Sequence, residues 1–420
     1  MPTKKIKDIV EHNTERSIIS AEYIFFSVII GIIIGLVSVA FFKGMEIVTT
    51  LRKTYPALLY GLPFGGLLIV ALYKLFDYED DTGTNRVLAA IHSKNHVPLR
   101  MAPLIFISTL ITHLFGGSAG REGAALQIGG SLGNTIARVF KLDEKASIIL
   151  IMSGMSAAFS TLFGTPMAAA IFSMEVVSVG IMHYSALMPC VIASFIGHYL
   201  AVKFGCNEEL FPIEAFPALS LENALIVCIL ASLSALVSIL FVLALNETNI
   251  FYKTYLKNRY LRAFVGGLAI VILTLLVNST DYNGTGVSVI SKAMDGNTHT
   301  VAFILKIVFT AITLGAGFKG GEIVPSFFIG ASFGCLFGNI TGFDPALSAS
   351  VGMVSVFCGV TNCPITSLLI SFEMFGFDGM PYYLLAVAFS YLFSGYFSLY
   401  KEQKIVYSKF HTTFINKDAK

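Results

Sequence analysis

The sequence is dominated by long apolar runs that contain no Asp, Glu, Lys or Arg. A helix needs about 20 such residues to cross a bilayer, whereas a strand of an outer-membrane barrel shows about ten residues of alternating polarity. The runs are too long for barrel strands and predict an all-α integral membrane protein. They cover residues 23–42, 54–73, 101–120, 146–174, 176–202, 223–246, 263–280, 323–343, 345–372 and 380–400.

The composition agrees with a membrane protein and excludes several other classes. Only 13% of the residues are charged, whereas a soluble domain carries about 25%. The net charge of +2 is too small to favour a nucleic-acid partner. The six cysteines show no zinc-finger or dithiol spacing, and we interpret them as small core residues. We expect the lipid bilayer as surroundings, and neither a cofactor nor a metal site.

Positive charge at both ends of the chain predicts its orientation. Lysine-rich flanks of membrane helices stay on the cytoplasmic side, so we expect a multi-pass protein of the cell membrane with both termini in the cytoplasm. No apolar stretch follows the start of the chain until Tyr23, which argues against a signal peptide. The lysines that carry this expectation are Lys4, Lys5, Lys7, Lys401, Lys404 and Lys409.

The chain also contains an internal duplication of about 200 residues. Paired Gly- and Pro-rich breaks in two halves of a membrane protein are typical of transporters whose binding site lies at the midplane between inverted repeats. We predict a cytoplasmic segment at 1–20, a first membrane repeat at 21–220, a second at 221–410 and a cytoplasmic tail at 411–420. The matching blocks, with shifts of 201, 200 and 198 residues, are Gly83-Thr84 with Gly284-Thr285, Glu122 and Gly130 with Glu322 and Gly330, and Pro166 and Glu175 with Pro364 and Glu373.

At these blocks the chain resembles the CLC family of anion channels and anion/proton antiporters. The G-R-E-G sequence at Gly120–Gly123 is similar to the G-[KR]-E-G-P block of the family, and residues 320–325 stand at the place of its second pore block. Tyr407 is similar to the pore tyrosine near the C-terminus. The resemblance implies an inverted-topology repeat of broken transmembrane helices, and a homodimer with one pore per subunit.

The chain departs from the chloride-transporting members of the family at several places. Those members carry a serine in the first block, where this chain has Thr84 and Asn85, and an inner proton-transfer glutamate, where it has Val176. Glu322 adds a carboxyl group where they have an apolar residue. This set resembles the fluoride/proton antiporter branch and implies fluoride export in exchange for protons. The alternative is a CLC antiporter or channel for chloride or nitrate.

Backbone N–H groups at the N-termini of half-helices are suited to hold an anion at the membrane midplane. In the role that the resemblance implies, the Glu122 carboxylate takes the place of the anion and leaves when it is protonated, and Glu322 is a second glutamate for protons and fluoride. Ionisable groups inside a membrane are expensive and are usually functional. The implied anion-binding residues are Thr84, Asn85, Gly120, Arg121, Gly123, Ile323, Val324 and Tyr407.

Each of these interpretations has a structural alternative. Glu122 alternatively pairs with Arg121, and Glu322 with Lys319 at a helix end. Thr84 and Asn85 are also common turn residues. Tyr407 is alternatively one tyrosine of an interfacial belt.

Four other ionisable residues are not assigned to transport. We expect Glu175 and Glu373, each nine residues after a proline, to stabilise helix ends or neighbouring loops. We expect His113 and His198 to be hydrogen-bonded core residues.

A function from a different class rests on Gly116–Gly120, which matches the G-x-S-x-G pattern of serine hydrolases. In that alternative Ser118 would pair with a histidine such as His198. The pattern explains neither the duplication nor the two glutamates, so we expect a transporter and not an enzyme.

Overall fold

The computed structural model describes residues 2–93, 96–206, 210–213 and 216–420, with side chains from residue 20 onward. The side chains of Lys4, Lys5 and Lys7 therefore lie outside the described residues. Helices dominate this part of the chain, and the predicted all-α membrane fold is confirmed.

The first half of the chain contains eight α-helices in its described part, joined by short loops and two 3-10 turns (Pro56–Gly61 and Tyr184–Ala186). They are α1 (Pro2–Thr54), α2 (Leu62–Leu75), α3 (Thr84–His92), α4 (Met101–Leu114), α5 (Glu122–Val139), α6 (Glu144–Phe163), α7 (Pro166–Glu175) and α8 (Leu187–Lys203).

The second half contains eight more helices in its described part, and they follow the first eight in order and approximate length, apart from the longer α1. They are α9 (Leu221–Tyr255), α10 (Arg259–Val277), α11 (Val287–Met294), α12 (Ala302–Gly315), α13 (Ile323–Thr341), α14 (Pro345–Thr361), α15 (Pro364–Phe375) and α16 (Met380–Phe393). Seven helical segments of the described chain are long and apolar enough to span a membrane, and five more are apolar but shorter.

Two of the long apolar runs each contain two helices. In the run 146–174, Gly164 ends α6 in the left-handed conformation (φ +74°), and Pro166 begins α7. In the run 345–372, Asn362 plays the same part (φ +57°), and Pro364 begins α15. Proline suits the first turn of a helix because its missing N–H would have no partner there. These breaks make α7 and α15 too short to cross the bilayer.

Glycines bring the backbones of neighbouring helices into direct contact in both halves. A Cβ atom built on Gly129 of α5 would lie 2.2 Å from the Gly154 carbonyl oxygen of α6, and one built on Gly330 of α13 would lie 2.4 Å from the Gly352 oxygen of α14. Small residues at such crossings permit the close packing that stabilises helix pairs in membranes.

Glu175 and Glu373 stabilise helix ends, as predicted. The Glu175 carboxylate accepts hydrogen bonds from the backbone N–H groups of Ile365 (3.0 Å) and Thr366 (2.8 Å) at the start of α15. The Glu373 carboxylate accepts from Met167 (2.8 Å) and Ala168 (2.9 Å) at the start of α7. These N–H groups have no acceptor within their own helix.

A small sheet holds the C-terminal segment against the helices. Strand β1 (Ser178–Val179) pairs in parallel with β2 (Lys404–Tyr407), which pairs antiparallel with β3 (Phe414–Asp418). The buried Gln403 side chain donates to the carbonyl oxygens of Val176 (3.0 Å) and Thr361 (2.7 Å). These contacts fix the segment 398–403 beside the helix breaks.

Candidate functional site

Two glycine-rich loops, one from each half, meet at the centre of the site. The N–H of Gly120 donates to the Gly321 carbonyl (2.6 Å), and the N–H of Gly321 donates back to the Gly120 carbonyl (2.8 Å), which forms an isolated antiparallel bridge. Helix α5 begins at Glu122 and α13 at Ile323. The bridge therefore brings together the N-termini, which are the positive ends, of two helices from the two repeats.

The Glu122 side chain is fully buried at the start of α5. Its Oε2 accepts a hydrogen bond from the Arg121 backbone N–H (2.9 Å), and its Oε1 pairs with the Arg121 guanidinium (3.3 Å). The structure thus contains the ion pair that was the alternative interpretation. It also puts the carboxylate on an N–H group at a helix N-terminus, which is where an anion would bind.

The backbone contacts of Gly120 differ from the prediction that its N–H holds an anion. That N–H donates to Gly321, and the Gly120 carbonyl oxygen lies 3.3 Å from His113 Nε2. His113 is therefore a hydrogen-bonded core residue, as expected. The predicted backbone donors Gly123, Ile323 and Val324 lie in the first turns of α5 and α13, where a helix supplies no acceptor for its N–H groups.

A cavity of about 330 Å³ lies beside this bridge, and we call it the chamber. It brings together the predicted site residues Thr84 and Asn85 with Glu322 of the second pore block. It also contains Tyr400, which the sequence analysis did not select. Polar groups on its wall include Thr84, Asn85, Gln127, Lys319, Glu322 and Tyr400.

Thr84 and Asn85 lie on the chamber wall at the start of α3. The Thr84 hydroxyl donates to the Gly123 carbonyl (3.3 Å) and accepts from Gln127 Nε2 (3.3 Å). The Asn85 side-chain oxygen accepts from the Glu402 backbone N–H (3.1 Å). Both side chains therefore connect the first block to other parts of the site.

Glu322 precedes α13 and lines the chamber. A Cβ built on Gly123 would lie 3.5 Å from Glu322 Oε2, so this carboxylate faces the start of α5. The alternative partner Lys319 binds another carboxylate, because its Nζ lies 2.8 Å from Asp81 Oδ2.

The structure brings Tyr400, and not Tyr407, to the chamber. Tyr407 lies on β2, is 45% exposed, and packs its ring on Phe414 at 5.8 Å between centroids. Tyr400 is 1% exposed, and its hydroxyl has no hydrogen-bond partner among the described residues. It shares the chamber wall with Glu322. Tyr400 is the last residue of the final apolar run and Tyr407 follows it by seven residues, and both lie beyond α16.

A second cavity, of about 600 Å³, is lined by Arg121, Phe42, Arg52 and Thr285 among others. It shares no lining residue with the chamber, and the buried Glu122 lines neither of them. Thr285 is the repeat counterpart of Thr84. The chamber and this cavity thus each contain one member of this repeated threonine pair.

Other chemistry finds little support in the described residues. The Ser118 hydroxyl lies 3.0 Å from the Thr310 hydroxyl, whereas the serine-hydrolase alternative required a histidine. No group of three or more His, Cys, Asp or Glu in the described part of the chain is arranged to hold a metal ion.

The fold and the bridged glutamate loops define a multi-pass membrane transporter that is built from an inverted repeat of broken helices. Comparison with known proteins gives the same class. The family described as voltage gated chloride channel matches residues 65–395, and the chain therefore belongs to the CLC family, as its motifs predicted. Because the members of this family are transporters, the expectation that the chain is not an enzyme is confirmed.

Individual relatives are similar over nearly the whole chain. A "Chloride/fluoride channel protein" of Pseudomonas syringae pv. tomato is 33% identical over 398 residues, which are 93% of this chain and 88% of the relative. The solved structure of a CLC-type fluoride/proton antiporter has a TM-score of 0.88 at 30% identity and covers 91% of this chain and 98% of its own. A slow cyanobacterial Cl⁻/H⁺ antiporter has a TM-score of 0.77 at 20% identity, covering 89% and 94%, and this shows the shared fold.

Proposed function

We propose that this CLC protein is a fluoride/proton antiporter that exports fluoride across the cell membrane in exchange for protons. The observation that carries the proposal is the second carboxylate, Glu322, on the chamber wall beside the start of α5. The relative with a solved structure that is described as a fluoride/proton antiporter, 30% identical, supports the same substrate.

The chemistry of the site supports exchange of an anion for a proton. The Glu122 carboxylate binds the N–H group at a helix start, so an anion takes this position only after the carboxylate has left it. Protonation of Glu122 removes its charge and weakens its hold on that N–H. Binding of the anion and binding of the proton at this place are therefore linked.

Hydroxyl and amide donors on the chamber wall favour a small anion that accepts hydrogen bonds strongly. The Tyr400 hydroxyl has no other hydrogen-bond partner among the described residues, and a protonated Glu322 adds a second O–H donor. The Asn85 amide supplies further N–H donors. Fluoride suits such a set because it is small and a strong acceptor.

The alternative substrate is chloride, and one observation favours it: the Pseudomonas syringae relative is described as a chloride/fluoride channel protein. The test is efflux from liposomes that contain the purified protein and are loaded with either halide. We expect fluoride release much faster than chloride release, with protons moving in the opposite direction. Equal release of the two halides would refute fluoride selectivity, and halide release without proton movement would refute antiport.

We further propose that the chain is a homodimer with one pore per subunit and that both termini lie in the cytoplasm. The division into repeats at 21–220 and 221–410 belongs to the same proposal. Light scattering of the detergent-solubilised protein tests the first statement and should give twice the 45.4 kDa chain mass. Protease cleavage of a C-terminal tag in vesicles of known sidedness tests the second.

A further inference from the structure

A third cavity, which we call the vestibule, adjoins the chamber. It has a volume of about 510 Å³, and it shares part of its wall with the chamber, including Asp81, Lys253, Phe318 and Lys319. Its wall carries five basic residues (Lys253, Lys257, Arg259, Arg262 and Lys319) and three acidic ones (Glu79, Asp80 and Asp81), which leaves an excess of two positive charges. Arg259 is paired with Glu79 and Asp80. An electropositive cavity of this kind raises the local concentration of anions, so the vestibule is a suitable entrance to the chamber.

An ion pair lies where the two cavities meet. Lys319 Nζ is 2.8 Å from Asp81 Oδ2, the Asp81 side chain is fully buried, and the Lys319 side chain is 21% exposed. The Lys319 ammonium also lies 4.2 Å from the centre of the Tyr73 ring. Lys319 is therefore a partly accessible cation at the opening between the vestibule and the chamber, where a carboxylate and an aromatic ring hold it.

The same pair joins the two loops that build the chamber. Asp81 Oδ1 accepts a hydrogen bond from the Gly83 N–H (3.0 Å) directly before Thr84, and Lys319 precedes Glu322 by three residues. Because Asp81 has this second bond, its buried carboxylate keeps a partner when Lys319 leaves it.

The pair breaks the internal symmetry of the molecule. The shifts that relate the repeats put Tyr282 at the counterpart of Asp81 and Ala119 at the counterpart of Lys319. On that side the loop is held differently, because the buried Lys306 donates to the carbonyl oxygens of Tyr282 (3.2 Å) and Gly284 (2.7 Å). The position of Lys319 is thus occupied by an alanine in the other repeat, where the cations on the cavity wall, Arg52 and Arg121, come from other positions.

We propose that Lys319 is an anion-exchange residue at the chamber mouth, which leaves Asp81 to bind an arriving anion and returns to Asp81 when the anion has moved on to the chamber. Asp81 is then the competitor that sets how tightly the mouth holds the anion. No covalent bond changes, and the net charge of the pair plus the anion is the same in both arrangements. This inference rests on the proposed anion transport and concerns only the face of the protein that bears the vestibule.

Two substitutions with opposite expected effects test this inference. Lys319→Met removes the cation, so the KM for fluoride at the vestibule face should rise at least fivefold. Asp81→Asn removes the competing charge but keeps an acceptor for the Gly83 N–H, so the KM at that face should fall severalfold. Initial rates in inside-out and right-side-out vesicles give the KM at each face, and the KM at the opposite face should stay unchanged in both variants.

Lys253→Met is the matched control, because Lys253 lines both cavities and forms no ion pair among the described residues. We expect its effect to be small and to vanish in high salt, whereas that of Lys319→Met should persist. Lys319→Met removes one partner of a buried pair, which by itself can cause misfolding. In that case Asp81→Asn and the conservative Lys319→Arg still test the inference. Lys319→Arg should keep the wild-type KM.

Several results would overturn the inference. They are a KM that moves in the same direction in Asp81→Asn and Lys319→Met, a KM that changes equally at both faces, or a wild-type KM in Asp81→Asn. Failure of the proposed function is separate, because it appears in the wild-type protein as chloride release equal to fluoride release. In that case the KM values of the four variants are measured with chloride.

Discussion

Glu175 at the end of α7 caps the start of α15, and Glu373 in α15 caps the start of α7, so the two short helices stabilise each other reciprocally. This arrangement joins the two repeats at the break between α6 and α7 and the break between α14 and α15. It also explains why two carboxylates lie among apolar helices without a role in the proposed transport path.

Replacement of either capping glutamate should destabilise the protein. Glu175→Ala leaves two backbone N–H groups and the Thr366 hydroxyl without their acceptor, and we expect a loss of about 2 kcal/mol in the free energy of unfolding. Unfolding in mixed detergent measures it. Glu373→Ala should have a similar effect, whereas Glu247→Ala, at an exposed position, should have almost none. An unchanged unfolding midpoint in both Glu175→Ala and Glu373→Ala would contradict the capping role of these glutamates.

Glu122→Gln should abolish proton coupling. The glutamine keeps the size of the side chain but carries no titratable proton, so anion movement no longer requires proton movement. The measurement is fluoride-driven proton uptake into liposomes, followed with a pH-sensitive dye. Uphill proton movement that persists in Glu122→Gln would remove this residue from the coupling step.

Tyr400→Phe should weaken anion binding, whereas Tyr407→Phe should not. Loss of one hydroxyl donor to a charged acceptor costs about 1.5 kcal/mol or more, which corresponds to at least a tenfold rise in the KM for fluoride. Initial efflux rates at increasing fluoride concentration measure this change. If Tyr407→Phe raises the KM and Tyr400→Phe does not, the predicted role of Tyr407 is restored.

The stability of the protein should rise between pH 8 and pH 10.5 because of Lys409. Its ammonium donates to Asn362, to the Tyr391 carbonyl and to the Ser394 hydroxyl, and burial lowers the pKa of Lys409 from 10.5 to about 8. The unfolded chain therefore binds more protons in this window, and unfolding becomes harder as the pH rises. The contribution is at most about 3 kcal/mol.

Thermal unfolding in detergent at pH 7.5 and pH 10 measures this dependence. Lys409→Met, which has a side chain of similar length without a charge, should show a flatter pH profile than the wild-type protein. Identical profiles for the two proteins would show that Lys409 titrates at its ordinary pKa.

The sequence was sufficient for the class of fold because uncharged runs and paired breaks are local signals that a bilayer makes unambiguous. It also located the starts of α5 and α13, since glycine-rich blocks interrupt the apolar pattern there. The sequence did not show which distant segments of the chain contact each other. The N–H of Gly120 is taken by Gly321, about 200 residues away in the sequence, and nothing near Gly120 reports that bond.

Tyr400 was not selected in the sequence analysis for a related reason. Both tyrosines lie beyond α16 in a segment without helical periodicity, so the sequence does not fix which side chain faces inward. The buried Gln403 and the pairing of β1 with β2 decide it. Asp81 and Lys319 were missed as a pair because each is an ordinary loop charge until the fold brings the loops together.

The backbone contacts between glycines restrict how this chain can vary. Any missense change at a glycine codon adds a Cβ atom, and at Gly129, Gly154, Gly330 and Gly352 that atom would lie 2.2 to 2.4 Å from a carbonyl oxygen of the facing helix. No codon other than glycine satisfies these positions without moving a helix. A saturation library selected for function should therefore recover glycine at all four sites, and helix separation is the quantity that such selection preserves.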